Sequence, residues 1–183
     1  MATEREKMLR GDLYNAADPE LTAARRRARD LMRALNTGHD EAERLQIIAE
    51  LLGEQGENVW IEPPFFCDYG QNIRVGDSVF FNFNCVVLDV APVEIGSHVL
   101  FGPNVQIYTA THPIDAETRR TGLELGKPIR IGSDVWVGGS VIINPGITIG
   151  SRTVIGAGSV VTRDLPDDVF AAGNPCRVIR SLA

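Results

Sequence analysis

The chain has 183 residues, a length that fits one domain with at most a small appendage. Its formal net charge of -6 argues against a nucleic-acid-binding surface, because such surfaces carry concentrated positive charge. The first residues, MATEREKMLRG, lack the apolar stretch of a signal peptide, and no segment approaches the roughly 18 apolar residues of a membrane span. We therefore expect a cytoplasmic protein that binds neither nucleic acid nor a membrane.

The cysteines predict neither a disulfide framework nor a zinc site. Cys67, Cys85 and Cys176 are odd in number and far apart, and none belongs to a CxxC pair. Disulfide frameworks and zinc sites depend on paired cysteines at regular spacing, so the sequence favours reduced structural thiols.

The N-terminal part of the chain has helical periodicity. Asp18 followed by Pro19 is typical of a helix start, and the spacing predicts a helix of about 16 residues. A second helix is predicted from near Asp40 to Gly53. The residues expected to face inward are Leu21, Ala24, Ala28, Leu31, Met32 and Leu35 in the first helix and Leu45, Ile48 and Leu52 in the second.

These helices are predicted to cap a second region. Residues 1–56 form the expected helical cap, and residues 57–183 form the domain on which it packs. On the first helix a basic cluster lies opposite the apolar stripe, between acidic residues, and is predicted to be a solvated face. The cluster consists of Arg25, Arg26, Arg27 and Arg29.

A six-residue repeat dominates the C-terminal half. Residues 131–166 read IGSDVW, VGGSVI, INPGIT, IGSRTV, IGAGSV and VTRDLP, so a β-branched residue recurs at the first position and glycine follows it in four units. Neither a helix nor an alternating strand has this period. The pattern predicts short strands separated by corners, where glycine or asparagine adopts positive φ. Stacked in coils, such units form a parallel β-helix with the β-branched side chains inside.

The same period extends upstream less regularly. Two extra residues interrupt it after Ile73, and two more occur around Ala91 and Pro92. The predicted interior residues of these coils are Ile61, Cys67, Ile73, Val75, Phe81, Val87, Ile95, Phe101 and Ile107.

Residues 109–127 break the repeat with charged residues and no β-branched ladder, which predicts an extruded loop. Loops on rigid scaffolds often carry chemistry. His112 stands near the start of this loop, and an imidazole, with an ordinary pKa of about 6.5, is suited to accept a proton from a hydroxyl. His39, between the helices, and His98, at a corner, are expected to be exposed or structural.

Several strings occur in a fixed order along the chain: EPPFFCDYG, NFNC, LDV, YTATHPID, ELGKP, WVGG, INPG and AAGNPCRVI. Together they resemble the maltose and galactoside O-acetyltransferase family of the hexapeptide-repeat superfamily. The resemblance implies a left-handed parallel β-helix that assembles as a homotrimer. It also implies transfer of an acetyl group from acetyl-CoA, as co-substrate, to a sugar hydroxyl, with the 6-hydroxyl of maltose or glucose as the expected acceptor.

The resemblance also implies roles for individual residues. His112 corresponds to the general base, and Asp68 and Asn82 correspond to acceptor positions. Asp89 and Glu124 are further expected acceptor contacts, although Glu124 could instead orient His112, and the sequence leaves both roles open. For the donor, the expected contacts are Trp136, Gly139, Ala157, Thr162, Arg163, Arg177 and Arg180, with the Gly139 backbone N–H at the oxyanion.

The chain departs from the family at one position, and two other functions remain as alternatives. Galactoside enzymes of the family carry an acidic residue where this chain has Ala16, which leaves the acceptor open. A non-catalytic β-helix scaffold is one alternative. A zinc enzyme like the β-helical carbonic anhydrases is another, but it needs three histidines and only His98 and His112 lie on the predicted β-helix. We expect no metal and no bound cofactor.

Overall fold

The computed structural model describes residues 2–38 and 40–183, so His39 lies outside the described residues. The helices are α1 (Glu4–Arg10), α2 (Pro19–Thr37), α3 (Glu41–Leu51) and α4 (Ala116–Arg119). The strands are β1 (Glu54–Gln55), β2 (Trp60–Ile61), β3 (Phe65–Cys67), β4 (Ile73–Val75), β5 (Phe80–Phe81), β6 (Cys85–Leu88), β7 (Val93–Ile95), β8 (Leu100–Phe101), β9 (Gln106–Tyr108), β10 (Ala110–Thr111), β11 (Leu125–Gly126), β12 (Ile129–Ile131), β13 (Trp136–Val137), β14 (Ile142–Ile143), β15 (Thr148–Ile149), β16 (Val154–Ile155), β17 (Val160–Val161), β18 (Val169–Ala172) and β19 (Arg177–Ser181).

The chain winds through three sheets in turn, and successive coils add a parallel strand to each. The first face contains β1, β4, β7, β12 and β15; the second contains β2, β5, β8, β13, β16, β18 and β19; the third contains β3, β6, β9, β14 and β17. Within each face neighbouring strands pair in parallel, except that β19 returns antiparallel to β18. The predicted parallel β-helix with short N-terminal helices is confirmed.

The interior of the β-helix is a set of stacked side chains in register. On the second face Ile61 lies opposite Phe81, and Phe81 lies opposite Phe101. The Phe81 and Phe101 rings stack with centroids 4.5 Å apart, while Phe65 meets Phe81 edge-on at 5.6 Å. All the predicted interior residues are buried. The fifth position of each hexad is buried as well, which the sequence analysis did not assign: Val135, Val141, Ile147, Thr153, Ser159 and Leu165.

The corner between the first and second faces shows why glycine follows the β-branched residue. Gly132 does not have positive φ; that conformation belongs to Asp134, two residues later, with φ 59°. A Cβ on Gly132 would instead lie 2.6 Å from the amide nitrogen of Ser151 on the next coil. The prediction that this glycine provides positive φ is therefore wrong. Glycine is required because successive coils approach each other closely at the corner.

Side chains at the same corner link each coil to the next. The Ser97 N–H donates to Ser133 Oγ at 3.1 Å, and the Ser133 N–H donates to Ser151 Oγ at 3.2 Å. Aspartates terminate the ladder, since Asp77 Oδ1 accepts from the Glu57 N–H and Asp167 Oδ1 accepts from the Ser151 N–H. The middle amide of the turn is therefore satisfied within the protein on each of these coils.

The helices α2 and α3 cover the first coils, as predicted. Apart from Leu21, their buried side chains join the β-helix core. Asn36 exchanges two hydrogen bonds with the Phe65 backbone, at 3.0 and 2.9 Å. Asp18 caps α2 and Pro19 occupies its first turn. The inward orientation predicted for Leu45 is wrong: that side chain is 43% exposed, and Ile47 and Leu51 are buried instead.

Two helices were not predicted. The short α1 begins at a capping box formed by Thr3 and Glu6, which the sequence does contain. The α4 helix lies inside the extruded loop, whose ends meet where β10 pairs antiparallel with β11. Among the described residues, the helices are too short or too polar for any of them to cross a membrane.

We expect Gly132→Ala to lower the free energy of unfolding by about 1–3 kcal/mol, because the new Cβ overpacks the corner against backbone that cannot move aside. Asp134→Gly in the same turn is the matched control. It should cost less than about 1 kcal/mol, since glycine adopts positive φ without strain and this offsets its greater chain entropy. Urea unfolding at one protein concentration measures both, and equal losses would contradict the close-approach explanation.

Candidate active site

A cleft of about 340 Å³ opens where the extruded loop meets the segment between α1 and α2. The structure brings together three of the predicted site residues here, Asp68, His112 and Glu124. The remaining lining residues are Tyr14, Ala16, Arg25, Arg29, Tyr69, Leu88, Val90 and Ala110. A histidine and two carboxylates therefore share one opening.

His112 follows β10 directly and is exposed at the cleft. Within the described part of the chain, no hydrogen bond joins Glu124 to His112. Glu124 is held from the other side, because its Oε2 accepts a hydrogen bond from the Tyr14 hydroxyl at 2.9 Å. Glu124 therefore lines the cleft wall without a hydrogen bond to the imidazole among the described residues.

Asp68 lies at the end of β3 and is partly buried in the cleft wall. Burial raises the pKa of its carboxyl, and the positive charge of Arg25 opposes that rise. In the described residues its carboxylate oxygens accept no hydrogen bond, although its backbone N–H donates to Asp89. The Asp68 carboxylate is thus a hydrogen-bond acceptor at the cleft that has no donor in the described chain.

Arg25 departs from the predicted solvated face. Its guanidinium donates to the Tyr69 hydroxyl at 2.7 Å and to the Ala16 carbonyl at 2.6 Å, so it fixes two parts of the cleft wall. The Arg25 charge also lies 5.7 Å from the Tyr69 ring centroid. The spacing of this arginine on α2 gave no signal of these contacts, because they depend on how the helix docks.

Asp89 does not line the cleft; it lies fully buried behind it. Its Oδ1 accepts hydrogen bonds from the backbone N–H groups of Asp68 at 2.9 Å and Tyr69 at 2.8 Å, and its Oδ2 accepts from Asn72 at 3.3 Å. Burial raises the pKa of Asp89 to about 7, and the N–H donors moderate that rise. Asp89 was expected to contact the acetyl acceptor directly. In the structure it instead holds the turn that carries Asp68.

A second opening, a groove of about 420 Å³, lies at the corner between the second and third faces. It contains four other predicted site residues, Asn82, Trp136, Gly139 and Ala157. Trp136 is 55% exposed, and Phe170 adds a second aromatic side chain to the lining. Asn82 was expected beside the acceptor, but it lies in this groove and its Oδ1 accepts from the Phe83 N–H at 2.8 Å.

The amides of this corner differ from those of the serine ladder. The Gly138 N–H donates to the Ile155 carbonyl, and the Ser140 N–H donates to the Pro103 carbonyl, both at 2.8 Å. Between them, the Gly139 N–H finds no acceptor among the described residues. The groove is therefore lined by a residue whose backbone donor has no acceptor in the described chain.

The remaining residues that were predicted to contact the donor lie toward the C-terminal end of the column. Thr162 and Arg163 are exposed and line neither opening. Arg177 donates to the Cys176 carbonyl at 2.7 Å, and the Arg180 guanidinium lies 5.9 Å from the ring centroid of Phe170, at the edge of the groove.

The cleft and the groove lie at opposite ends of the third-face strands. The groove is lined by the turn that precedes β9, and the cleft by the segment that follows it. The four residue spacings from Val105 to Thr109 correspond to roughly 13 Å of extended chain. The two openings share no lining residue.

Comparison with known proteins places the chain in a family. A model of the maltose acetyltransferase hexapeptide capping motif matches residues 7–56, and a model of the bacterial transferase hexapeptide, with six repeats, matches residues 128–163. The galactoside O-acetyltransferase of Escherichia coli strain K12 is 43% identical over 179 residues, which are 97% of this chain and 88% of the relative. This chain belongs to the hexapeptide-repeat acetyltransferases.

Solved structures of this family match the whole fold. The maltose O-acetyltransferase from Clostridium difficile 630 has a TM-score of 0.98 at 49% identity, covering 100% of this chain and 98% of that one. A hexapeptide-repeat acetyltransferase from Vibrio cholerae O1 biovar eltor, solved in complex with acetyl-coenzyme A, has a TM-score of 0.94 at 46% identity, covering 100% of both chains. The resemblance predicted from the sequence strings is confirmed.

Cys67, Cys85 and Cys176 are unpaired and buried, as predicted. In the ranges 2–38 and 40–183, no three His, Cys, Asp or Glu side chains are grouped to hold a metal ion. His98 is exposed at a first-face corner with φ 59°, away from the cleft.

Titration of Asp89 should lower the free energy of unfolding of this acetyltransferase as pH rises. Burial raises its pKa from an ordinary value of 3.8 to about 7 in the folded chain, so the folded state retains a proton that the unfolded state releases. The resulting stabilisation is complete below about pH 4 and is lost by about pH 7. Asp89→Asn removes this titration.

Urea unfolding of both proteins at several pH values measures the effect. The difference in unfolding free energy should move in favour of Asp89→Asn by about 2 kcal/mol between about pH 5 and about pH 7.5. Carboxyl groups remote from Asp89 cancel in this difference. A difference that stays constant with pH would contradict a raised pKa at Asp89.

Proposed function

We propose that this acetyltransferase transfers the acetyl group of acetyl-CoA to a sugar hydroxyl, with His112 as general base. The observation that carries the proposal is the cleft itself, where an exposed imidazole and the carboxyls of Asp68 and Glu124 line one opening. A sugar presents several hydroxyl donors, which suit such carboxylate acceptors. Relatives named maltose and galactoside O-acetyltransferase, at 49% and 43% identity, support a sugar acceptor, and we propose the 6-hydroxyl of maltose or glucose.

In the proposed reaction an imidazole nitrogen of His112 removes the proton from the acceptor hydroxyl as its oxygen attacks the thioester carbonyl carbon. The new C–O bond gives a tetrahedral oxyanion. When that intermediate collapses, the C–S bond breaks, the coenzyme leaves as a thiolate, and the imidazolium returns the proton to sulfur. Acetyl is thereby exchanged for a proton, and no other reactant is needed.

The groove is the proposed site of the donor. Its aromatic and glycine-rich lining suits a flexible, amide-containing arm, and the Gly139 N–H, which has no described acceptor, is the proposed oxyanion donor. Arg163, Arg177 and Arg180 are proposed to pair with the nucleotide phosphates, because guanidinium groups match phosphate oxygens. The Vibrio cholerae relative solved with acetyl-coenzyme A supports this donor.

A homotrimer is proposed because each chain separates its own cleft from its own groove. A neighbouring chain that packs against the third face would bring its groove to the His112 cleft. Exposed apolar side chains support such packing: Phe66 is 46% exposed, Phe83 51% and Leu100 51%. These residues lie on or beside the second and third faces, whereas the first face carries the ion pairs of Arg74 with Glu54 and of Arg130 with Glu94.

His112→Ala should lower kcat for acetyl transfer by about 10²–10⁴-fold, the usual contribution of a general base. The assay measures thiol release from acetyl-CoA across a panel of sugars, followed by location of the acetyl group on the best acceptor. His98→Asn is the matched control, since asparagine tolerates the positive φ at that exposed corner, and its kcat should equal that of the wild type. Wild-type turnover by His112→Ala would remove the mechanism.

Ala157→Phe should raise KM for acetyl-CoA about tenfold, which corresponds to a loss of about 1.4 kcal/mol in donor binding. Ala157 is exposed in the groove, so a phenyl ring would occupy space that the proposed donor fills. Thr148→Phe, exposed on the first face, is the control and should leave this KM unchanged. Equal KM values in the two variants would argue against donor binding in the groove.

A further inference from the structure

Tyr14 lies in the wall of the cleft and takes no part in the proposed chemical steps. Its side chain is fully buried and packs in a small cluster with Met8, Leu21, Tyr69 and Val90, separate from the β-helix core. Because the cluster holds the ring on several sides, the phenol hydroxyl has a fixed position at the cleft.

Tyr14 is joined to Glu124 at three points. The Tyr14 N–H donates to the Glu124 carbonyl at 3.0 Å, and the Glu124 N–H donates to the Tyr14 carbonyl at 3.1 Å. The phenol then donates to Glu124 Oε2 at 2.9 Å. One residue thus fixes both the backbone and the carboxylate of Glu124, across the junction between the N-terminal segment and the extruded loop.

The segment that carries Tyr14 is itself held by α1. The Asn15 N–H donates to Glu4 Oε2 at 2.6 Å, and the Asn15 side chain accepts from the Ala17 N–H at 3.0 Å. Met8, also on α1, packs in the cluster around the Tyr14 ring. The connection between the helices is therefore built to present the phenol at one place.

The phenol acts only as a donor in this arrangement. Burial and then the negative charge of Glu124 raise the pKa of Tyr14, so its hydroxyl keeps its proton at neutral pH. The other carboxylate oxygen, Glu124 Oε1, accepts no hydrogen bond from the described residues. That oxygen remains available for a hydroxyl of a molecule in the cleft, beside Asp68 and His112.

We propose that Tyr14 is a positioning residue for the acceptor: its hydroxyl holds the Glu124 carboxylate so that Oε1 meets an acceptor hydroxyl. The inference rests on the proposed sugar acetyl transfer. It assigns Glu124 to the acceptor rather than to His112, in keeping with the missing hydrogen bond between Glu124 and the imidazole among the described residues.

The test is a double-mutant cycle of Tyr14→Phe and Glu124→Ala, read as kcat/KM for the best sugar acceptor. Tyr14→Phe keeps the ring in its cluster and removes only the hydroxyl. It should lower kcat/KM about tenfold, the size of one lost hydrogen bond to a charged group. The loss should fall on KM for the acceptor, and KM for acetyl-CoA should stay within about twofold of the wild type.

In the Glu124→Ala background, Tyr14→Phe should have no further effect, because the group through which the phenol acts is gone. Thr148→Val, which removes a hydroxyl on the exposed first face, is the control and should match the wild type. Thermal unfolding of each variant verifies that it is folded.

Unchanged kcat/KM in Tyr14→Phe would overturn the inference, as would equal fold losses in the two backgrounds or an equal rise in KM for acetyl-CoA. These results are distinct from failure of the proposed function. In that case the wild-type protein itself would acetylate none of the sugars.

Discussion

The stacking of one coil directly on the next is the constraint on which this structure depends. Backbone N–H groups of each coil donate to carbonyls of the adjacent coil, so the coils are held at the spacing of paired strands, about 4.8 Å. At that spacing a corner has no room for a side chain directed at the next coil. Gly132 is therefore a glycine, because backbone atoms of Ser151 on the next coil occupy the place of its Cβ. The interior then fills with side chains that lie in register, such as Phe81 on Phe101.

The three corners of the column use this constraint differently. Between the first and second faces, serine and aspartate side chains satisfy the middle amides, and the corner is closed. Between the second and third faces, the equivalent amide of Gly139 has no acceptor in the described chain, and a groove lies there. Between the third and first faces lie the residues that lengthen successive coils beyond the six-residue repeat. The turn after β3, the turn after β6 and the loop after β9 together line the cleft.

The repeat was therefore enough to predict the column, and its interruption at residues 109–127 was enough to predict the extruded loop that lines the cleft. The β-branched positions predicted the interior, and the break at residues 109–127 directed attention to His112. Tyr14 and Arg25 could not be predicted, because their roles come from docking of the helices on the cleft and not from local spacing. Asp89 shows the opposite limit: the family resemblance implied an acceptor contact for it, yet it is buried and holds the turn beneath Asp68.

A rigid column has a consequence for the chemistry that it supports. Because β9 is bonded to β6 on one side and to β14 on the other, its two ends, and with them the cleft and the groove of one chain, stay a strand length apart. Under the proposed mechanism, the base in the cleft and the thioester in the groove therefore meet only if a second chain supplies one of them. The cleft, by contrast, can be adjusted locally, since its wall is assembled from a helical segment and a loop joined through Tyr14 and Glu124. In the proposed mechanism, residues at that junction would vary the acceptor while the column holds the donor. This division explains why acceptor identity is the property that the repeat itself least determines.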